Sequence, residues 1–87
     1  LFNHAELELI AIEGHTDDQG DEEYNLELSL QRAQAVQHYL VQAGISRERL
    51  EAYGYGESVP LVLGESEETR AANRRVEFHI RRRAPVP

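Results

Sequence analysis

The sequence predicts one two-layer α/β sandwich with its helices on one face of a sheet, and three observations predict it. The elements alternate as strand, helix, strand, short helix, strand. The final run RVEFHIR sets Val76, Phe78 and Ile80 on one side and Arg75, Glu77, His79 and Arg81 on the other, so the sheet has a wet face. At 87 residues the chain is a single domain, because a folded chain of this size buries only about 60 to 65% of the surface it exposes unfolded.

The elements follow in order. In ELELIAI (residues 6–12) Glu6 and Glu8 alternate with Leu7 and Leu9 before Ile10, Ala11 and Ile12 turn both faces apolar, as in a strand entering a core. A loop bracketed by Gly14 and Gly20 leads to Asp21, an N-cap, with Glu22 and Glu23 in the first turn where the helix dipole favours anions. The helix over 22–43 carries Leu28, Ala33, Val36, Leu40 and Ala43 at a spacing near three to four, with Tyr24 and Tyr39 at its edges. Gly44 stands where a glycine stop is expected, and Ile45 returns to the core. SRERL introduces a second strand over 50–55, ended by GYGE and Pro60. The segment 57–65 is irregular, and its apolar PLVLG is expected to fold over the core edge. Ser66 with Glu67 and Glu68 starts a short helix reaching residue 72. The last strand follows, and a tail from residue 81 is expected to fray.

Composition excludes several functions. Sixteen acidic residues against nine basic ones give a charge of −7, which argues against nucleic acid, whose binding needs clustered positive charge. All nine basic residues are arginine. Arginine suits two-point recognition of a carboxylate, although a GC-rich genome gives the same bias. Without cysteine there is no thiol nucleophile or cysteine-ligated zinc. No apolar run is long enough to insert in a membrane. The opening LFNHAELELIAIEGHTD lacks the basic region and cleavage site of a signal peptide and reads as the middle of a longer exported chain.

The candidate site centres on EGHTDDQG. Asn25, Ser29 and Arg32, at i, i+4 and i+7, form a polar stripe beside the apolar face of the long helix, which begins directly after this loop. An acid from the loop and an arginine from the helix that share a groove can read a zwitterionic amino-acid head, the aspartate holding the ammonium and the arginine the carboxylate. The bland alternatives are a solvated stripe and a surface ion pair between Asp17 and Arg32 worth roughly 0 to 1 kcal/mol. Spacing alone leaves these open.

The motifs GHTD (14–17), Gly20, Asn25, LS (28–29), RA (32–33), Val36, YL (39–40), GI (44–45), RL (49–50), GYGE (54–57), Pro60 and NRRVE (73–77) occur in this order. Together they strongly resemble the C-terminal domain of outer-membrane protein A, a module also found in Pal lipoproteins and in the stator protein MotB. The resemblance covers about residues 8–80. It implies an α+β fold with a mixed sheet, no cofactor, and a periplasmic, non-enzymatic domain. Such a domain holds peptidoglycan without a covalent bond through the free head of meso-diaminopimelate in the peptide stem, tethering an outer-membrane or envelope protein to the cell wall. The family's acid and arginine fall on Asp17 and Arg32. Thr16, Asn25 and Leu28 match groove-lining positions, and Asn73 and Arg74 match the start of the last strand. Strand parity prefers Arg74 over Arg75 for the site, since Arg75 goes to the wet face with Glu77. Gly14, Gly20 and Gly54 are read as positions where a side chain would clash.

Departures from the pattern accompany these matches. The family's opening strand and helix have no counterpart, so the domain is N-terminally incomplete and an unpaired strand edge invites dimerisation. Gly64 and Thr69 replace the usual residues of the loop after Pro60. Three rival functions are weighed against binding. A metal site from His15, Asp17 and Asp18, helped by His4, His38 or His79, lacks any cage spacing, so no metal is expected and His15 is read as bracing the loop through a ring nitrogen bonded to backbone. A triad of Ser29, His15 and an aspartate lacks the nucleophile elbow and would bury its serine in a helix. The alternative kept is a scaffold that has lost its ligand and serves as a protein-interaction module.

Overall fold

The computed structural model describes residues 8–82. It contains β1 (Glu8–His15), α1 (Glu22–Gln42), a 3₁₀ turn (Arg47–Arg49), β2 (Leu50–Gly56), α2 (Glu67–Asn73) and β3 (Arg75–Arg82). The three strands form a mixed sheet in the order β2-β1-β3, with β1 parallel to β2 and antiparallel to β3. The expected α/β class with a mixed sheet is thus observed. Strand β1 runs three residues past its predicted end and takes in His15, while Arg81 and Arg82, expected to fray, belong to β3. Residues 1–7, with His4 and the predicted start of the first strand, and the tail 83–87 lie outside the described residues.

Local chemistry explains the helix boundaries. Asp21 caps α1 by accepting from the Tyr24 amide at 3.0 Å, and Ser66 caps α2 by accepting from the Thr69 amide at 3.1 Å. At the other end of α1, Ile45 N–H donates to Leu40 C=O and Gly44 N–H to Val41 C=O, each at 3.0 Å, a Schellman closure with Gly44 at φ 108°.

Helix α1 lies across β2 and β1, and Ile12, Ala33 and Leu50 form the buried centre of the core, flanked by Ile10, Val36, Leu40, Ile45 and Val76. Of the predicted apolar stripe, Ala33, Val36 and Leu40 belong to the core and Leu28 is half-buried, but Ala43 is exposed, and Asn25 and Ser29 are buried as well. The reason is proximity. Gly14 and Gly54 pair across β1 and β2 beneath Ser29 and Leu30, too close for larger side chains on either side. Ser29 is therefore structural: its hydroxyl donates to Leu26 C=O at 2.8 Å and accepts from the Gly56 amide at 2.9 Å, with 0% exposure. Replacing it by alanine strands that amide in the interior, with an expected cost of about 1 to 3 kcal/mol in urea unfolding.

Two apolar expectations are corrected. Phe78 and Ile80 face the same side as Ile12 and Ile10, their partners across β1, yet are 56% and 67% exposed, because α1 covers β2 and β1. Leu61, Val62 and Leu63 do not fold over the core edge but stay exposed. Their segment is held by Asn73, whose Oδ1 accepts from the amides of Leu61 (2.7 Å) and Val62 (3.0 Å) and whose Nδ2 donates to Val62 C=O at 2.9 Å.

Candidate functional site

The loop after β1 is built so that a carboxylate faces inward. Thr16 continues β1 by donating its amide to Gly56 C=O at 2.9 Å, and its hydroxyl donates to Asp17 C=O. Asp17 Oδ1 then accepts from the Gln19 amide at 3.0 Å, the short Asx turn that lets the chain reverse. The loop is pinned to the helix by Asn25, buried at the first turn of α1, whose Nδ2 donates to Gln19 C=O (2.9 Å) and to Glu57 Oε1 (3.2 Å).

Asp17 is only 9% exposed, and its Oδ2 accepts from Arg74 Nη1 at 2.6 Å, where α2 gives way to β3. The other side of the Arg74 guanidinium binds Glu67 Oε2 at 2.7 Å, so an acid on each side fixes the fork. Burial alone would raise the pKa of Asp17, but the Gln19 amide and the Arg74 guanidinium outweigh it and hold the carboxyl below the usual range. The group is ionised at neutral pH, and each of its oxygens keeps a lone pair free for a ligand donor.

Asp17, Thr16 and Asn73 line a cleft of about 300 Å³ together with Asp18, Glu57 and the exposed segment around Pro60 and Leu63. Arg32 is exposed, has no hydrogen bond or ion pair among the described residues, and lines a neighbouring hollow with Arg74, Arg75 and Val76. The surface pair between Asp17 and Arg32 is therefore absent, and Arg74 takes the place of Arg32 beside the acid. Arg74 links the two depressions, touching Asp17 in one and bordering the other. Arg75 turns to the sheet's polar face, where its Nε donates to Glu77.

The predicted residues divide by role. Asp17, Thr16 and Asn73 share the cleft and Arg32 and Arg74 the hollow, while Asn25 acts by pinning the loop; the half-buried Leu28 lines neither depression. Sequence reasoning missed Glu57 and Glu67. Both had a signal: Glu57 closes the GYGE motif, and Glu67 precedes Arg74 by seven residues across a short helix, which places the two on one face. The reading of His15 is corrected. Its ring nitrogens have no hydrogen-bond partner among the described residues, and the ring is instead stacked on Tyr55 at 5.4 Å.

Comparison with known proteins adds independent findings. The profile of the OmpA family matches residues 2–74. The peptidoglycan-associated lipoprotein of Pseudomonas aeruginosa is 48% identical over 69 residues, covering 79% of this chain and 41% of that protein. Outer membrane protein A of Bordetella avium is 44% identical over 75 residues, covering 86% of this chain and 39% of that protein. The chain thus spans about two fifths of the length of both relatives. The crystal structure of the peptidoglycan-associated lipoprotein from Burkholderia pseudomallei superposes with a TM-score of 0.83 at 38% identity, covering 85% of this chain and 63% of the other.

Proposed function

Because the chain belongs to the OmpA family, we propose that it is a non-catalytic module that binds peptidoglycan without a covalent bond and tethers the protein carrying it within the periplasm to the cell wall. The names of its relatives support peptidoglycan as the partner and the outer membrane as the neighbourhood. The finer reading is that the domain grips the free amino-acid head of diaminopimelate in the peptide stem. Asp17 accepts from the ligand ammonium and Arg32 donates to its carboxylate, with Arg74 between them as the group that fixes Asp17.

One observation carries this reading: a buried, ionised carboxylate with spare lone pairs opens on a cleft, and an exposed arginine with no partner among the described residues stands in the adjoining hollow. A carboxylate held by Arg74 but with lone pairs to spare, next to an arginine that has no partner among the described residues, matches a zwitterion better than it matches a neutral sugar or an anion alone. Thr16 and Asn73 supply further polar lining.

The test is calorimetric titration of the natural-length protein with free meso-diaminopimelate, using lysine blocked at its α-amino and α-carboxyl groups as control. The control keeps a side-chain ammonium but lacks the free amino-acid head, ammonium and carboxylate on one carbon, that the charge pair would read. Saturable heat with the first and none with the second is expected. Equal response to both defeats the zwitterion reading, and no response to either, from protein with a folded circular dichroism spectrum, favours a scaffold that serves as a protein-interaction module.

A further inference from the structure

The polar face of the sheet, opposite α1, carries a second cluster. Glu13 and Glu77 are direct partners across the antiparallel β1 and β3, and His15 lies two residues beyond Glu13 on the same face. One ligand atom from each of Glu13, His15 and Glu77 lies within 4.8 Å of the other two. His15 is only 2% exposed, and among the described residues neither of its ring nitrogens has a hydrogen-bond partner. A buried imidazole in that state costs stability unless something binds it. Its neighbours are acceptors in position to share a cation.

We propose that Glu13, His15 and Glu77 form a binding site for a divalent transition-metal ion, with zinc the best match, which staples β3 to β1. The orientation of the carboxylates supports this. Glu13 Oε2 accepts from Arg81 Nη2 at 3.2 Å, and Glu77 Oε2 accepts from Arg75 Nε. These arginines hold the outer oxygens and leave both Oε1 atoms facing the imidazoles, the outer-shell arrangement that orients metal ligands. His15 Nε2 stands 3.9 Å from Glu13 Oε1. Ligand bonds of about 2.0 to 2.2 Å in a tetrahedron put neighbouring donors about 3.4 Å apart, so the pair of His15 and Glu13 must close by about half an ångström and no pair in the set by more than about 1.4 Å. His79 is at the rim, its Nε2 2.8 Å from Glu77 Oε1 and 3.5 Å from Glu13 Oε1, next to the open fourth position.

The ligand types narrow the ion. A buried imidazole nitrogen selects zinc or its transition-metal neighbours over calcium and magnesium, which take oxygen ligands. Burial, followed by the charge of Arg75, holds the pKa of His15 below its ordinary value, so the ring is neutral and offers a lone pair. Arg75, with His79 behind it, holds Glu77 at about 2, so this carboxylate is ionised at any working pH. The same two arginines oppose a further positive charge and keep affinity moderate.

The test uses the natural-length protein, freed of metal with a chelator, titrated with zinc chloride by calorimetry and by thermal melting. Zinc is expected to bind saturably and raise the melting temperature with increasing concentration, while calcium and magnesium at equal concentration do neither. Two variants assign the site. His15→Phe keeps the ring against Tyr55 but removes both nitrogens, and should melt no lower than the parent without metal. Glu77→Gln alters a partly exposed group and keeps the fold if the first variant does not. Each should weaken zinc binding at least tenfold. A parent that shows no zinc response, or a folded variant that binds zinc as the parent does, overturns the proposal; the latter outcome assigns the metal to the acidic surface elsewhere.

Discussion

Replacing Asp17 by alanine is expected to abolish co-sedimentation of the protein with purified sacculi while the domain stays folded. The carboxylate is almost fully buried and ionised, so a ligand ammonium that reaches it is desolvated on arrival. Deleting one member of a desolvated charge pair costs about 2 to 5 kcal/mol, much of it the penalty of leaving the other charge unpaired. Arg32→Ala should weaken binding less, by about 1.5 to 3 kcal/mol, the range for a hydrogen bond to a charged group. It should not touch stability, since Arg32 has no partner to lose among the described residues. Asp17 has two possible ways of acting, because it also holds Arg74 at 2.6 Å. A double-mutant cycle separates them. If Asp17 works only by positioning Arg74, the losses from Asp17→Ala and Arg74→Ala do not add; if it meets the ligand itself, the double variant is worse than either. Sacculus binding at the parental level by folded Asp17→Ala would remove this residue from the site.

The contrast between these residues shows what was legible in the sequence. Each strand and both α-helices were found in order, though not the 3₁₀ turn Arg47–Arg49, because capping chemistry at Asp21 and Ser66, the Gly44 stop and strict alternation in β3 are local signals. Asp17 and Arg32 were marked as candidates by motif and by helical spacing. The contact between Asp17 and Arg74 was not predicted, since it joins residues 57 apart in the chain through the turn that closes α2 onto β3. The same limit hid the Glu13, His15 and Glu77 cluster: the loop spacing of His15, Asp17 and Asp18 suggested no cage, but cross-strand register assembles ligands that no single segment contains. The exposure of Phe78 and Ile80 was also illegible. Alternation gives the side on which a residue lies, not whether a helix extends far enough to cover it.

Gly14→Ala is expected to produce the largest loss of stability of any methyl-sized change in the domain. Gly14, Gly20 and Gly54 were read alike from the sequence, but their surroundings separate them. A Cβ on Gly14 would meet the Ser29 carbonyl oxygen at 2.1 Å and its carbon at 2.9 Å, and one on Gly54 would meet the Leu30 amide nitrogen at 2.5 Å. Both obstacles are helix backbone and cannot rotate away. At Gly20 the nearest atom is 3.9 Å off, and the glycine is required by a φ of 94° instead. Alanine there pays only the left-handed conformation, about 1 to 2 kcal/mol. At position 14 the helix must lift by about 1.3 Å to restore an ordinary contact, a movement on the scale that overpacking at about 1 to 3 kcal/mol describes. That lift also strains the bond from the Gly56 amide to Ser29, which crosses the same gap at 2.9 Å. Together the expected cost is about 3 kcal/mol or more, a fall of roughly 12 °C or more in the melting transition at about 4 °C per kcal/mol. Thermal melting followed by circular dichroism measures it, and a melting temperature for Gly14→Ala no lower than that of Gly20→Ala would refute the close approach. The effect reaches the ligand as well. The loop bearing Asp17 begins two residues after Gly14, and Arg32 stands three residues beyond Ser29 on the lifted helix, so the gap between sheet and helix sets the distance between the two charges.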